Sequence, residues 1–266
     1  MDILNFGSII FLSLFTTIIF ISLILYSDRK SKEPLYMIIL ALISCIFTIS
    51  LALILGQVLL PKLFDISAGL FDYNTHNIVK IILLAIVEEY SKLLVLYLFI
   101  SRNSNFDDVF DGFVYSSLIA ISFAALESII YVFCEPNIAS MKSLAIIRSF
   151  TTVPLHLICG ICMGYFMGRE KFSWGVKRRI FNLMLMLLFP TFLHFIYNYT
   201  LTNIINKFQS SNYLSLLIIA FFIPFYLIAL LFINKTKYLN EKFIKNEKYK
   251  DLMTKDEYAE IVENNS

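Results

Sequence analysis

Val87-Glu88-Glu89-Tyr90-Ser91-Lys92-Leu93 lies in the middle of an apolar run that extends from about Asn77 to Ile100. About 20 apolar residues, rising 1.5 Å each as a helix, cross the hydrocarbon core of a bilayer, so the run is long enough to span. One acidic or basic side chain at the centre of a membrane helix costs about 2.5–3.5 kcal/mol on insertion scales. Two adjacent carboxylates and a lysine at that depth point to a polar reaction site inside the membrane. Glu88 and Lys92 are four apart and share a helix face. Lys92 is therefore expected to neutralise one carboxylate while the other points elsewhere. The alternative is a buried ion pair that fixes helix packing, but two carboxylates against one ammonium leave a negative charge that packing does not need.

The surrounding chain has the same character. It has 266 residues, 58% hydrophobic and 16% charged, against about 25% charged in soluble domains. Seven apolar runs can be drawn, at about Ser8–Tyr26, Leu35–Leu59, Asn77–Ile100, Gly112–Cys134, Ser143–Met167, Ile180–Ile204 and Tyr213–Ile233. The expected fold is an all-α polytopic membrane bundle of about seven transmembrane helices. Residues 1–233 are expected to form the membrane domain and 234–266 a charged cytoplasmic tail. The first run has no basic residues before it and no small-residue cleavage site after it, so it reads as a retained anchor rather than a signal peptide. Arg29, Lys30, Lys32, Arg102, the Arg169–Arg179 cluster and the lysine-rich tail fall on one side, with only Lys62, Lys142 and Lys207 opposite. By the positive-inside rule the amino terminus is outside and the carboxyl terminus in the cytoplasm of a bacterial cell membrane. In the tail, Leu239, Phe243, Leu252 and Met253 could line a surface helix on anionic lipid; a solvated tail is equally compatible. The eight glycines are scattered and form no phosphate-binding loop, and no nucleic-acid partner is expected. Cys159 and Cys162 read as small apolar neighbours rather than a redox pair.

Further polar residues stand where a span should be apolar. The fourth run carries Glu127, the fifth Arg148 and His156, and the sixth His194, with Asn198 four residues on and on the same face. His76 is assigned to an external loop, and Asp107, Asp108 and Asp111 to the cytoplasmic interface before the fourth run. At 1.5 Å per residue, Glu88 lies roughly 17 Å, Glu127 about 10 Å, His156 about 20 Å and His194 about 15 Å below the outer ends of their spans. One layer between the midplane and the outer third holds them all, with Arg148 and Asn198 above. Pro154 and Pro190, shortly before the two histidines, are expected to kink their helices and admit water.

Carboxylates and imidazoles in a hydrated low-dielectric pocket suit hydrolysis. A glutamate takes the proton of the attacking water, and a histidine or another polar group stabilises the oxyanion. The same side chains are ordinary zinc ligands, and Glu127, His156 and His194 are the set that could hold a metal. No H-E-x-x-H, no G-x-S-x-G and no mid-span aspartate is present, which excludes a standard zincin, a serine elbow and an aspartyl dyad. A proton-coupled transporter with a Glu/His relay is the alternative function, although the chain shows no internal repeat. A scaffold that only binds a substrate helix is a second rival, but no glutamate or histidine is missing.

Glu88-Glu89-x-x-Lys92, Asp111-Gly112-Phe113-Val114-Tyr115 leading to Phe123…Glu127, Arg148…His156 and His194-x-x-Tyr197-Asn198, in that order, resemble the PrsW family, which is related to type II CAAX prenyl endopeptidases and bacteriocin-processing membrane proteases. The resemblance implies site-1 cleavage of a single-span anti-sigma factor on its extracytoplasmic side. That step would lead to release of an extracytoplasmic-function sigma factor under envelope or antimicrobial-peptide stress. It also implies that Glu88 and Glu89 activate water, with Glu127, His156 and His194 as catalytic partners or metal ligands and Lys92, Arg148 and Asn198 in support. Glu88 is favoured as the base. The chemistry is read as metal-independent, with zinc as the alternative.

Overall fold

A computed structural model describes residues 3–29, 32–62, 73–172, 176–208 and 214–250. Among them it contains helices and connecting turns and no strand. The helices are α1 (Ile3–Ser27), α2 (Leu35–Ile43), α3 (Cys45–Ile54), α4 (Tyr73–Val95), α5 (Val109–Phe133), α6 (Ile138–Phe150), α7 (Thr152–Lys171), α8 (Val176–Phe208) and α9 (Leu214–Lys250). Both α3 and α4 end in a π-helical turn, Leu55–Leu59 and Leu96–Ile100.

Six helical stretches among the described residues are long and apolar enough to cross a membrane, and the protein is an all-α, multi-pass membrane bundle. The expected third span is a helix of sufficient length, but its charged residues Lys80, Glu88, Glu89 and Lys92 set it apart from the six. His76 lies in the first turn of this helix rather than in a loop. The last expected boundary also differs: α9 runs without a break through Ile233 to Lys250. Leu239 packs on the core and Phe243 meets Phe172, so this part of the tail continues the bundle. Leu252 and Met253 lie outside the described residues.

The central helix is α5, with 78% of its apolar window buried against 28% for α1. Asp108 and Asp111 start it as a capping box: Asp108 accepts from the Phe110 and Asp111 amides, and Asp111 accepts from the Asp108 amide at 2.8 Å. This places both acids at the helix start and not in the polar cluster. Helix α7 crosses α5 at backbone contact. Gly160, Gly164 and Gly168 recur every fourth residue and line one face, and a Cβ on Gly164 would collide with the Gly112 carbonyl. Ser116 closes the crossing by donating to the Gly160 carbonyl at 2.8 Å. Glycines read as scattered thus form the small-residue stripe that lets two membrane helices touch.

The expected fifth span is two helices that part at Thr151, whose φ of −123° and ψ of −64° are not helical. Pro154 explains the position: its ring clashes with the carbonyl four residues back, Phe150, where α6 ends. In the first turn of α7 its missing N–H costs nothing. The proline therefore separates Arg148 and His156 into different helices instead of kinking one.

Candidate active site

Four helices converge on one buried polar cluster. Glu88, Glu89 and Lys92 come from α4, Glu127 from α5, His156 from α7 and His194 from α8. Glu89, Lys92, His156 and His194 are each at most 3% exposed. Apolar walls hold them there. Phe123 lies edge-on to the His156 ring, with centroids 5.4 Å apart, and takes the Lys92 ammonium over its face at 4.4 Å.

Lys92 does not pair as its four-residue spacing from Glu88 suggests. Its Nζ donates to Glu89 Oε1 at 2.7 Å, one turn back at i−3, and to His156 Nδ1 at 2.8 Å. An ammonium only donates, so His156 Nδ1 accepts and the ring proton sits on Nε2. That Nε2–H points at Glu127 Oε2, 3.1 Å away. His194 has the opposite tautomer: its Nδ1 donates to Glu89 Oε1 at 2.8 Å, leaving a lone pair on Nε2. Glu89 is thus held from two sides, by lysine and histidine.

Glu88 and Glu89 each leave a buried Oε2 without a hydrogen-bond partner among the described residues. The Glu88 Oε2 differs in its surroundings. It faces His194 Nε2 at 3.7 Å and His156 Nε2 at 4.0 Å. It also borders a cavity of about 110 Å³ with Glu127. A buried carboxylate oxygen left unpaired is costly, and this one faces two imidazoles that could share a ligand with it.

Ligand atoms of Glu88, His156 and His194 lie within 4.8 Å of one another. A two-histidine, one-carboxylate set is the donor set of many catalytic zinc sites. Glu88 and His194 fit a cation as they stand, and the Glu89 carboxylate behind His194 is the support that a ligating imidazole takes. His156 Nε2 would join the set in the other ring tautomer, with the proton on Nδ1. The set expected from the sequence had Glu127 in place of Glu88. Glu127 Oε2 instead takes the Arg148 guanidinium at 2.7 Å.

Arg148, the expected supporting cation, also donates to Ser128 at 3.2 Å and covers the Tyr131 ring at 4.5 Å. Asn198 stays out of the cluster; its backbone carbonyl accepts from Thr202, and its side chain has no hydrogen bond among the described residues. Its neighbour Tyr197 is buried instead. The Tyr197 hydroxyl donates to Thr151 Oγ1 at 3.2 Å and meets Thr152 Oγ1 at 3.0 Å. Tyr197 thereby ties α8 to the α6–α7 break that sets Arg148 and His156. The i+3 spacing from His194 is the signal for it, since i+3 and i+4 both lie on the histidine's face. Cys159 and Cys162 are buried free thiols, and Cys159 donates to the Pro190 carbonyl at 3.5 Å.

The family described as PrsW family intramembrane metalloprotease matches residues 33–229, a span that contains the whole cluster. The curated proteins named Protease PrsW include similar chains. That of Oceanobacillus iheyensis is 30% identical over 225 residues, 84% of this chain and 92% of its own. That of Clostridioides difficile is 30% identical over 174 residues, 65% and 71% of the two chains. That of Bacillus subtilis is 27% identical over 179 residues, 67% and 76%. No solved structure matches the chain. With the match covering most of the bundle and every member of the buried cluster, the chain belongs to the PrsW family of intramembrane proteases, multi-pass membrane enzymes that hydrolyse peptide bonds.

Proposed function

We propose that Glu88 is the general base of this protease, and that the bond it helps to cut lies in a single-span membrane protein, an anti-sigma factor cut at site 1 on its extracytoplasmic side. The lysine and arginine asymmetry supports an amino terminus outside and a basic carboxyl-terminal helix in the cytoplasm. Release of an extracytoplasmic-function sigma factor under envelope stress follows from that cut.

The single observation that carries the base assignment is the difference between the two adjacent glutamates. Glu89 Oε1 is engaged by Lys92 and His194, so it orients. Both residues leave Oε2 unpaired, but of the two Glu88 lines the cavity, so Glu88 is the one open to a water. In the chemical step Glu88 takes the water's proton as the oxygen attacks the scissile carbonyl. Glu88 returns that proton to the leaving amine as the C–N bond breaks. Glu127 anchors His156 through its Nε2–H, and Arg148, 2.7 Å from Glu127, holds that carboxylate in place. If a divalent cation such as zinc were held by Glu88, His156 and His194, it would supply the Lewis acid and the activated water in place of Glu88 acting as a free base.

The test is cleavage of a single-span substrate co-reconstituted in liposomes. Glu88→Gln, His156→Ala and His194→Ala are expected to lower kcat by at least about 100-fold, the usual scale for a lost acid or base. A chelator arm reports the metal. Undiminished cleavage by Glu88→Gln would remove Glu88 from the chemistry.

A further inference from the structure

The cavity beside Glu88 and Glu127 has one wall that the chemistry above does not use. Ala52 and Leu53 of α3, with Gly56 and Gln57 of the following π-helical turn, form it. The helical stretch that contains α2 and α3 is peripheral, with 22% of its apolar window buried. On its outer face Leu53, Ile54 and Val58 are exposed. A Cβ on Gly56 would meet nothing within 4 Å, so the wall is open there. Gln57 is an exposed amide on an otherwise apolar face, without a hydrogen bond among the described residues. Its amide both donates and accepts, as an extended peptide backbone does. The Gln57 amide and the unpaired Glu88 Oε2 thus line one cavity. π-turns are common at functional sites.

We propose that the face of α3 and its π-turn is the lateral entry for an unwound substrate segment, and that Ala52, Leu53 and Gly56 set the size of the side chain accepted beside the scissile bond. This rests on the protease reading of the site. The volume gives the class of residue. A cavity of about 110 Å³ is smaller than the ~150 Å³ that houses one benzene ring, and it must also admit the attacking water. Alanine, serine, threonine and valine fit, whereas phenylalanine and tryptophan do not. The larger groove of about 410 Å³ between α1, α7 and α9 is no rival, because its lining contains no acid and no histidine.

Two measurements test this. In the first, the substrate carries alanine or phenylalanine beside the cut bond. The wild type prefers alanine by about tenfold or more in kcat/KM, the scale of a pocket that rejects bulk. Gly56→Leu sharpens the preference and Leu53→Ala relaxes it. Gly7→Leu, at the other glycine with nothing within 4 Å, leaves it unchanged. An alanine-to-phenylalanine ratio that is the same in all four proteins overturns the proposal. In the second, a photo-crosslinking residue replaces Gln57 or Leu230 in the Glu88→Gln background, and substrate capture is scored without turnover. Capture at 57 and not at 230 supports the entry. Equal capture, or capture at 230 alone, overturns it. Because this readout does not depend on cleavage, a failure of the entry is distinguishable from a failure of the protease chemistry.

Discussion

Lys92→Met tests whether the buried network is built as described. Lys92 is 1% exposed and its ammonium holds Glu89 at 2.7 Å and His156 at 2.8 Å. Methionine matches its length and removes the charge. Glu89, 0% exposed, then keeps only the His194 N–H. Removing one partner of a buried ion pair costs about 3–5 kcal/mol, because the other charge stays buried and unpaired. At about 2–4 °C per kcal/mol for a chain of this size, Tm is expected to fall by about 6–20 °C. The double variant Lys92→Met, Glu89→Gln removes both charges, and neutral replacement of a buried pair is often close to neutral in stability. It should recover at least half of the lost Tm while remaining inactive, since neither His156 nor His194 keeps its orienting charge. The assay is thermal unfolding in detergent or nanodiscs, paired with cleavage of a reconstituted substrate. A single variant within about 2 °C of the wild type, or a double variant no more stable than the single, would refute the buried-pair geometry.

Other consequences follow from the same structure. Tyr197→Phe deletes the hydroxyl that ties α8 to Thr151 and Thr152; at about 0.5–1.5 kcal/mol per hydrogen bond, Tm should fall by a few degrees while kcat falls with little change in KM. Gly164→Val drives a side chain into the Gly112 backbone; overpacking of this kind costs about 1–3 kcal/mol or more, and the variant should show low yield and a lowered Tm, whereas Gly7→Val should not. Asp28, just beyond α1, is pushed by burial from the ordinary carboxylate range up to about 7. A raised carboxyl favours the folded state fully below its unfolded value of 3.8 and loses that contribution as pH rises toward about 7. Wild-type Tm should therefore decline across that window, and Asp28→Asn should flatten the decline in a pH series of melting curves.

Composition and polar interruptions alone specified a helical membrane bundle with buried polar side chains on four of its helices, because polar side chains in hydrocarbon are too costly to be incidental. Glu88, Glu89, Glu127, His156 and His194 were legible for that reason, and the order of their motifs carried the family. Tertiary structure decided which polar atom meets which. Spacing along α4 offered Lys92 to either glutamate, and only the placement of His156 and Phe123 settled it on Glu89. Spacing along α8 offered Asn198 and Tyr197, and only the break at Thr151 gave Tyr197 its partners. Helix periodicity determines the face on which a residue sits, but not the rotation of that face against neighbouring helices. That rotation comes from packing, here from the contact of α5 and α7 at Gly112 and Gly164.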